Sequence, residues 1–249
     1  MAGLRELVRA HVCRVPFENV SKLYCMKHRG LRGLPGLESF LDGIEKFNFG
    51  GTCYPNNFYF YQLLANLGYR TTLCGADMSG PDVHLVSMVD LEKRQYLVDV
   101  GYAAPLVAPL PRDLAVDHVV GSGRDRYVLK PQDAEGRSRL ELYRDGDLKH
   151  GYVAKPAPRR IADFRAVIAD SYRAEATFMN AILLARFFPD RFLVIHNLTV
   201  IESRGTVSDI RKLAGRDELV QIVAERFGIP PRFTSDAVSG LGQLGDAWN

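Results

Sequence analysis

The spacing of apolar residues changes at about Tyr69, and that change limits the fold more than any other feature. Before it, apolar residues recur every three or four positions. Leu4, Leu7, Val8, His11 and Val12 follow one helix face, and Leu37, Phe40, Leu41, Ile44 and Phe47 follow a second. Between them lies RGLRGLPG, a loop sequence. Tyr54 to Leu67 is apolar nearly all round, which predicts a third, buried helix stopped by Gly68. After Tyr69 come YRTTLCGADM, VHLVSMVDL, QYLVDVGY, DRYVLKP and LELYRDGDL, short β-rich runs split by turn residues. They predict a small antiparallel sheet or barrel. KPAPRR, Lys155 to Arg160, reads as a linker. Beyond it Ser171 to Phe188 is helix-compatible and FLVIHNLTVIES is strand-like. DELVQIVAERFG carries Leu219, Ile222, Val223 and Phe227 on one helix face ahead of Gly228. The Gly-rich tail SGLGQLGDAWN reads as loosely held. The chain is thus read as α+β in three parts: helices at 1–68, an antiparallel β-barrel at 69–155 and an α/β unit at 156–249.

A chain of 249 residues is long enough to bury such a core. Its 32 basic and 29 acidic residues leave a net charge of +3, too even for binding nucleic acid or a membrane surface by charge. No apolar run has the length of a transmembrane helix. MAGLRELVRAHVCRV is amphipathic rather than signal-like, so the expected compartment is the cytoplasm. Cys13, Cys25, Cys53 and Cys74 form no CxxC pair and have neither metal-site nor disulfide spacing. No metal site is expected, and each thiol reads first as a small buried apolar group.

Cys53 fits that reading least. In FNFGGTCYPNNFYFYQLL, Gly50 and Gly51 permit a tight turn. Pro55 suits the first turn of a helix, where its missing N–H leaves no bond unmade. The thiol therefore lies at a helix N-terminus, where the dipole favours thiolate and backbone N–H groups can hold an oxyanion. A plain buried cysteine after a turn is the competing reading.

A histidine and a carboxylate decide between them. VHLVSMV and QYLVDV predict a hairpin. With Asp90 to Lys93 as its turn, Val89 pairs with Arg94, and His84 lies directly opposite Asp99 on the same face. Such a pair in an apolar strand is costly unless used or well hydrogen-bonded, and an Asp beside an imidazole fixes its tautomer. A purely structural pair is the alternative. His11, His28, His118, His150 and His196 read as surface or packing residues.

Together these segments resemble the arylamine N-acetyltransferase family. VPFENV looks like that family's VPFENL motif and GGTCY like its RGGxCxE motif. DVHLV and YLVDVGY look like the segments that carry its His and Asp. The resemblance is close from about Leu4 to Val107 and returns around RFLVIHNLTVIESRG and ELVQIVAERFGI. It implies an N-terminal helical bundle, a β-barrel and a C-terminal α/β lid around a cysteine-protease-like Cys-His-Asp core. It implies acetyl-CoA as a donor substrate rather than a resident cofactor, and an arylamine or hydrazine acceptor. Cys53 would be the nucleophile, His84 its base and Asp99 the residue that orients His84. Phe17 would line the acyl pocket, although a core aromatic reads equally well. Tyr102 and Ala104 would shape the amine pocket, and Gly80 would lie near the loop that holds CoA. Arg159, Arg160, Arg211 and Lys212 would meet CoA phosphates, against a plain solvated surface as the ordinary reading.

Three departures bear on this. Phe49 stands where the family has the arginine that pairs with the Glu of its FEN motif, here Glu18. Glu18 is therefore expected to take backbone N–H groups, to recruit Lys46, Arg29 or Arg32, or to be neutral. Phe49 is expected to pack beside the Cys53 turn. Pro55 replaces a usual polar residue, and the family has another helix ahead of LRELVRAH. The same triad would also serve an amide synthase working on a carrier-bound or polyketide thioester, or a thiol hydrolase. An acyl-thioester panel separates the first from an acetyltransferase, and hydrolysis without an amine identifies the second.

Overall fold

A computed structural model describes residues 1–205 and 207–245. The N-terminal third holds α1 (Ala2–Arg14), β1 (Phe17–Glu18), α2 (Val20–Arg29), α3 (Leu37–Phe47) and α4 (Cys53–Asn66). Helix α1 buries Leu4, Val8 and Val12, the stripe read from the sequence. Helix α2 lies within the stretch between the two predicted helices. Its buried residues are Val20, Lys22 and Leu23, so a polar residue interrupts the apolar face that would have announced it.

Eight antiparallel strands follow: β2 (Arg70–Asp77), β3 (His84–Leu91), β4 (Arg94–Val98), β5 (Leu110–Pro111), β6 (His118–Ser122), β7 (Asp125–Leu129), β8 (Ser138–Arg144) and β9 (Asp147–Pro158). Their order is β5-β4-β3-β2-β9-β8-β7-β6, curved into a nearly closed barrel. KPAPRR is not a linker. Strand β9 runs on to Pro158, which pairs with Cys74, and the Arg159 N–H donates to the Leu73 carbonyl at 2.8 Å. A register shift between Cys74 and Ala76 lets the prolines into this ladder.

The remainder holds α5 (Arg165–Asp170), α6 (Thr177–Asn180), β10 (Leu183–Phe187), β11 (Arg191–His196), β12 (Thr199–Arg204), β13 (Val207–Lys212), α7 (Arg216–Phe227) and α8 (Pro231–Ser239). The helix expected over Ser171–Phe188 is mostly absent. Only one turn of it is helical, and Leu183–Phe187 is a strand. Two contacts hold it there. Strand β1 pairs with it, Phe17 against Ala185 and Glu18 against Leu184. The buried Asn19 amide donates to the Phe178 and Ala181 carbonyls and accepts from the Leu183 N–H. The second sheet, β1-β10-β11-β12-β13, thus begins with a strand from the N-terminal segment. The tail is held as far as Gly245: Leu241 and Leu244 are buried, and Asn197 donates to the Gly245 carbonyl. Asp246 to Asn249 lie outside the described residues. Among the described residues no helix is long and apolar enough to cross a membrane, and no group of three His, Cys, Asp or Glu side chains could hold a metal ion.

Candidate active site

Cys53 is the first residue of α4, immediately after the Gly50-Gly51 turn. Gly51 has φ +75°, in the left-handed region that favours glycine. A Cβ on Gly50 would lie 1.8 Å from the Pro16 carbonyl oxygen, so only glycine fits. Glu18 holds this turn from the other side. Its Oε1 accepts from the Gly50 N–H at 3.0 Å, the Gly51 N–H at 2.7 Å and the Ser21 hydroxyl, and its Oε2 accepts from the Ser21 N–H at 2.8 Å. The first of the three outcomes expected for Glu18 is the one observed: backbone donors do the work of the missing arginine. Phe49 packs against Phe47 and Phe233, with ring centres 5.5 and 4.9 Å away, in the same core cluster as Cys53.

His84 begins β3, and Asp99 follows the end of β4. The hairpin turn is not the one read from the sequence. Leu91 pairs with Arg94 and Val89 with Tyr96, leaving Glu92 and Lys93 as a two-residue turn with φ +53° and +64°. His84 is therefore not directly opposite Asp99. Continuing the register sets Asp99 across from Val86, two residues from His84. A shift of two keeps both side chains on one face, and the diagonal is close enough to bond. His84 Nε2 lies 2.8 Å from Asp99 Oδ2. The Cys53 thiol is an ionisable neighbour of the His84 ring, and both line one cavity. Because Asp99 occupies Nε2, Nδ1 is the nitrogen left for sulfur.

Asn57 ties the helix to the hairpin. Its amide donates to Asp99 Oδ1 at 2.9 Å and to the Leu85 carbonyl at 2.7 Å, and its oxygen accepts from the Val100 N–H. The Gly101 N–H also donates to Asp99 Oδ1, at 3.0 Å. A Cβ on Gly101 would come within 2.9 Å of the Cys53 Cα and carbonyl oxygen. Asn56 caps the turn, donating to the Gly50, Gly51 and Thr52 carbonyls while its oxygen meets His11 Nε2. Both asparagines escaped the sequence reading. The available signal was their position, two amides inside an apolar helix, where each must find partners.

Burial disfavours the His84 imidazolium, but the Asp99 charge, the hydrogen bond the ring makes to that carboxylate and the neighbouring Cys53 outweigh it and raise the imidazole above its ordinary range. Burial likewise works against the Asp99 carboxylate, while His84, Asn57 and Gly101 together hold it below the usual range. Burial raises Cys13 and Cys25 and pushes Cys74 up to about 12.

Cys53 and His84 open on a cavity of about 790 Å³ between the barrel and the second sheet. Phe17, Phe178, Phe187 and Phe192 line an apolar part, and Arg124, Arg144, Lys149 and Lys212 line a basic one. Phe17 meets Phe178 edge to face at 5.6 Å. Tyr102 lines the cavity, and its hydroxyl lies 2.7 Å from His150 Nδ1. His150, read as a surface or packing residue, therefore belongs to this cavity wall. Ala104 is placed elsewhere: it is buried in the barrel core. Gly80 lies in the turn before His84 and accepts from the Met78 N–H, with Val83 rather than Gly80 on the cavity wall. Arg159 is bound to Asp82 at 2.8 Å, Arg160 is almost fully exposed, and Arg211 pairs with Glu218 at 2.7 Å. Of the four basic residues considered for phosphates, Lys212 reaches the cavity.

The family described as N-acetyltransferase matches residues 1–233. Arylamine N-acetyltransferase 1 of Rattus norvegicus is 31% identical over 134 residues; the alignment covers 51% of this chain and 42% of that enzyme. Proansamycin X synthase of Amycolatopsis mediterranei (strain S699) is 26% identical over 240 residues, covering 89% of this chain and 87% of that protein. The structure of Mycobacterium marinum arylamine N-acetyltransferase in complex with CoA superposes with a TM-score of 0.80 at 22% identity, covering 97% of this chain and 93% of that one. By family match and by fold, the chain belongs to the arylamine N-acetyltransferase family.

Proposed function

We propose that the protein transfers an acetyl group from acetyl-CoA to an arylamine or hydrazine, in two steps through acetyl-Cys53. The observation that carries this reading is the grouping of Cys53 and His84 on the wall of the large cavity, with Asp99 bonded to His84. The thiolate attacks the thioester carbonyl, CoA leaves as its thiol with a proton from His84, and the acetyl group stays on sulfur. The amine nitrogen then attacks that carbonyl. His84 takes the amine proton, and Cys53 leaves as thiolate. First-turn N–H groups of α4, which have no partner inside the helix, are available to the developing oxyanion. Phe17 and Phe178 suit the acetyl group and aromatic ring, with Tyr102 on the acceptor side. Arg124, Lys149 and Lys212 suit the CoA phosphates. Four unpaired cysteines fit a reducing cytoplasm as the place of action.

Initial rates with acetyl-CoA and an arylamine or hydrazine varied together test the reading. Parallel double-reciprocal lines are expected. Intersecting lines contradict the acetyl-enzyme. Turnover of long-chain thioesters with none of acetyl-CoA points to an amide synthase instead, and ester hydrolysis without an amine points to a thiol hydrolase.

A further inference from the structure

A buried cation lines a second cavity, one that His84 does not line, together with the residues flanking Cys53. Lys22 sits on α2, one turn after Glu18, and is buried. Its Nζ donates to Ser171 Oγ at 2.8 Å and stands 4.3 Å from the centre of the Tyr172 ring and 5.9 Å from that of Phe178. No carboxylate forms an ion pair with it among the described residues. Glu18 spends its oxygens on Ser21, Gly50 and Gly51. A buried ammonium without a counter-charge is costly, so its retention calls for a compensating anion.

The surroundings point to one. Lys22 lines a small cavity of about 60 Å³ whose other walls include Gly51, Thr52 and Tyr54, the residues on either side of Cys53. Phe178, beneath the ammonium, also lines the large cavity onto which Cys53 opens. Burial pushes Lys22 down to about 8, and the ionisable group that opposes burial is Cys53. By reciprocity, whatever Cys53 does for the ammonium, the ammonium does for the thiolate.

We propose that Lys22 is an electrostatic positioning residue, a fixed positive charge that favours the thiolate of Cys53 through the protein interior. His84 supplies the other positive charge beside Cys53, and the remaining ionisable neighbours supply none. His84, backed by Asp99, approaches Cys53 from the barrel. Tyr54 hydrogen-bonds the Asp82 carbonyl, and its phenol is raised by burial first and then by Cys53 and Asp82. On the Lys22 side, burial raises the Cys25 thiol and the Tyr172 phenol, so both are neutral near neutral pH. The effect of Lys22 is present below about pH 8 and fades as it deprotonates.

The inference rests on Cys53 as the nucleophile, and its test is independent of acetyl-CoA. The rate of Cys53 alkylation by iodoacetamide is followed against pH by peptide mapping in wild type, Lys22→Met, Lys22→Gln and Lys22→Arg. Cys13, Cys25 and Cys74 serve as slow internal references. Both neutral variants are expected to react about three- to ten-fold more slowly at neutral pH, with the profile moved to the alkaline side, and Lys22→Arg to restore it. Profiles that coincide with wild type in folded neutral variants, even with a lowered Tm, overturn the inference. Should neither neutral variant fold, heteronuclear NMR of Lys22 in Cys53→Ala protein decides the matter. Its titration is expected to fall below the wild-type value, and an unchanged titration overturns the inference. Failure to form acetyl-Cys53 would remove the transferase reading and leave this result standing.

Discussion

Asp99→Asn protein is expected to keep its fold and to transfer acetyl groups roughly a thousand- to ten-thousand-fold more slowly than wild type. The hydrogen bonds dictate the reason. Asn57 and the Gly101 N–H both donate to Asp99 Oδ1, so an asparagine must turn its carbonyl oxygen toward them. Its amide nitrogen then faces His84 Nε2 as a donor, and Nε2 must accept. The ring proton is forced onto Nδ1, the nitrogen that serves Cys53. A protonated Nδ1 cannot take a proton from sulfur or from the incoming amine. Steady-state rates and thermal unfolding measured together check this. Ordinary activity would make Asp99 a structural residue.

The same variant should change how stability follows pH. The raised His84 value gives a contribution that is full below the ordinary imidazole range and is lost as pH rises through the raised value. The depressed Asp99 value gives one that is full above the ordinary carboxylate range and is lost as pH falls through the depressed value. The ionic contribution of the pair is therefore greatest in mildly acidic solution. The gap between wild type and Asp99→Asn should narrow on both sides of that window.

Glu18→Gln is expected to cost about 2–4 kcal/mol, a fall of roughly 4–16 °C in Tm. With no vacant cation site, the substitution has nothing to relieve. Its carboxylate accepts from the Gly50 and Gly51 N–H groups and from Ser21, and a glutamine must present one NH₂ group to donors that need an acceptor. For the same reason Phe49→Arg is not expected to stabilise the protein. The guanidinium would enter an apolar cluster with Phe47 and Phe233 and find Glu18 already satisfied. Thermal unfolding of the two single variants and the double variant decides it. A stabilising Glu18→Gln, or rescue of its loss by Phe49→Arg, would contradict the backbone-donor account.

Much of this site could be read from the chain because its elements are punctuated by residues with few uses. Gly50, Gly51 and Pro55 left one conformation for the approach to Cys53, and α4 does begin there. A histidine and an aspartate in apolar strands flag themselves by their cost. The strand period of two then protected the pairing of His84 with Asp99 from an error in the turn. The turn itself was illegible because Glu92 and Lys93 adopt left-handed angles usually signalled by Asn-Gly. Strand β9 was illegible because its prolines read as a break, and only pairing with β2 makes them a strand. Strand β10 depends on Asn19 and β1, both far away in sequence. Lys22 carries no local pattern; its meaning comes from what the fold sets beside it.

The most direct test of the account is the intact mass of the protein after incubation with acetyl-CoA in the absence of an amine. The prediction is a gain of one acetyl group, mapped to Cys53, lost on adding an arylamine, and absent from Cys53→Ala protein. An unmodified wild-type protein under turnover conditions, or an acetyl group that maps elsewhere and survives the amine, would contradict it.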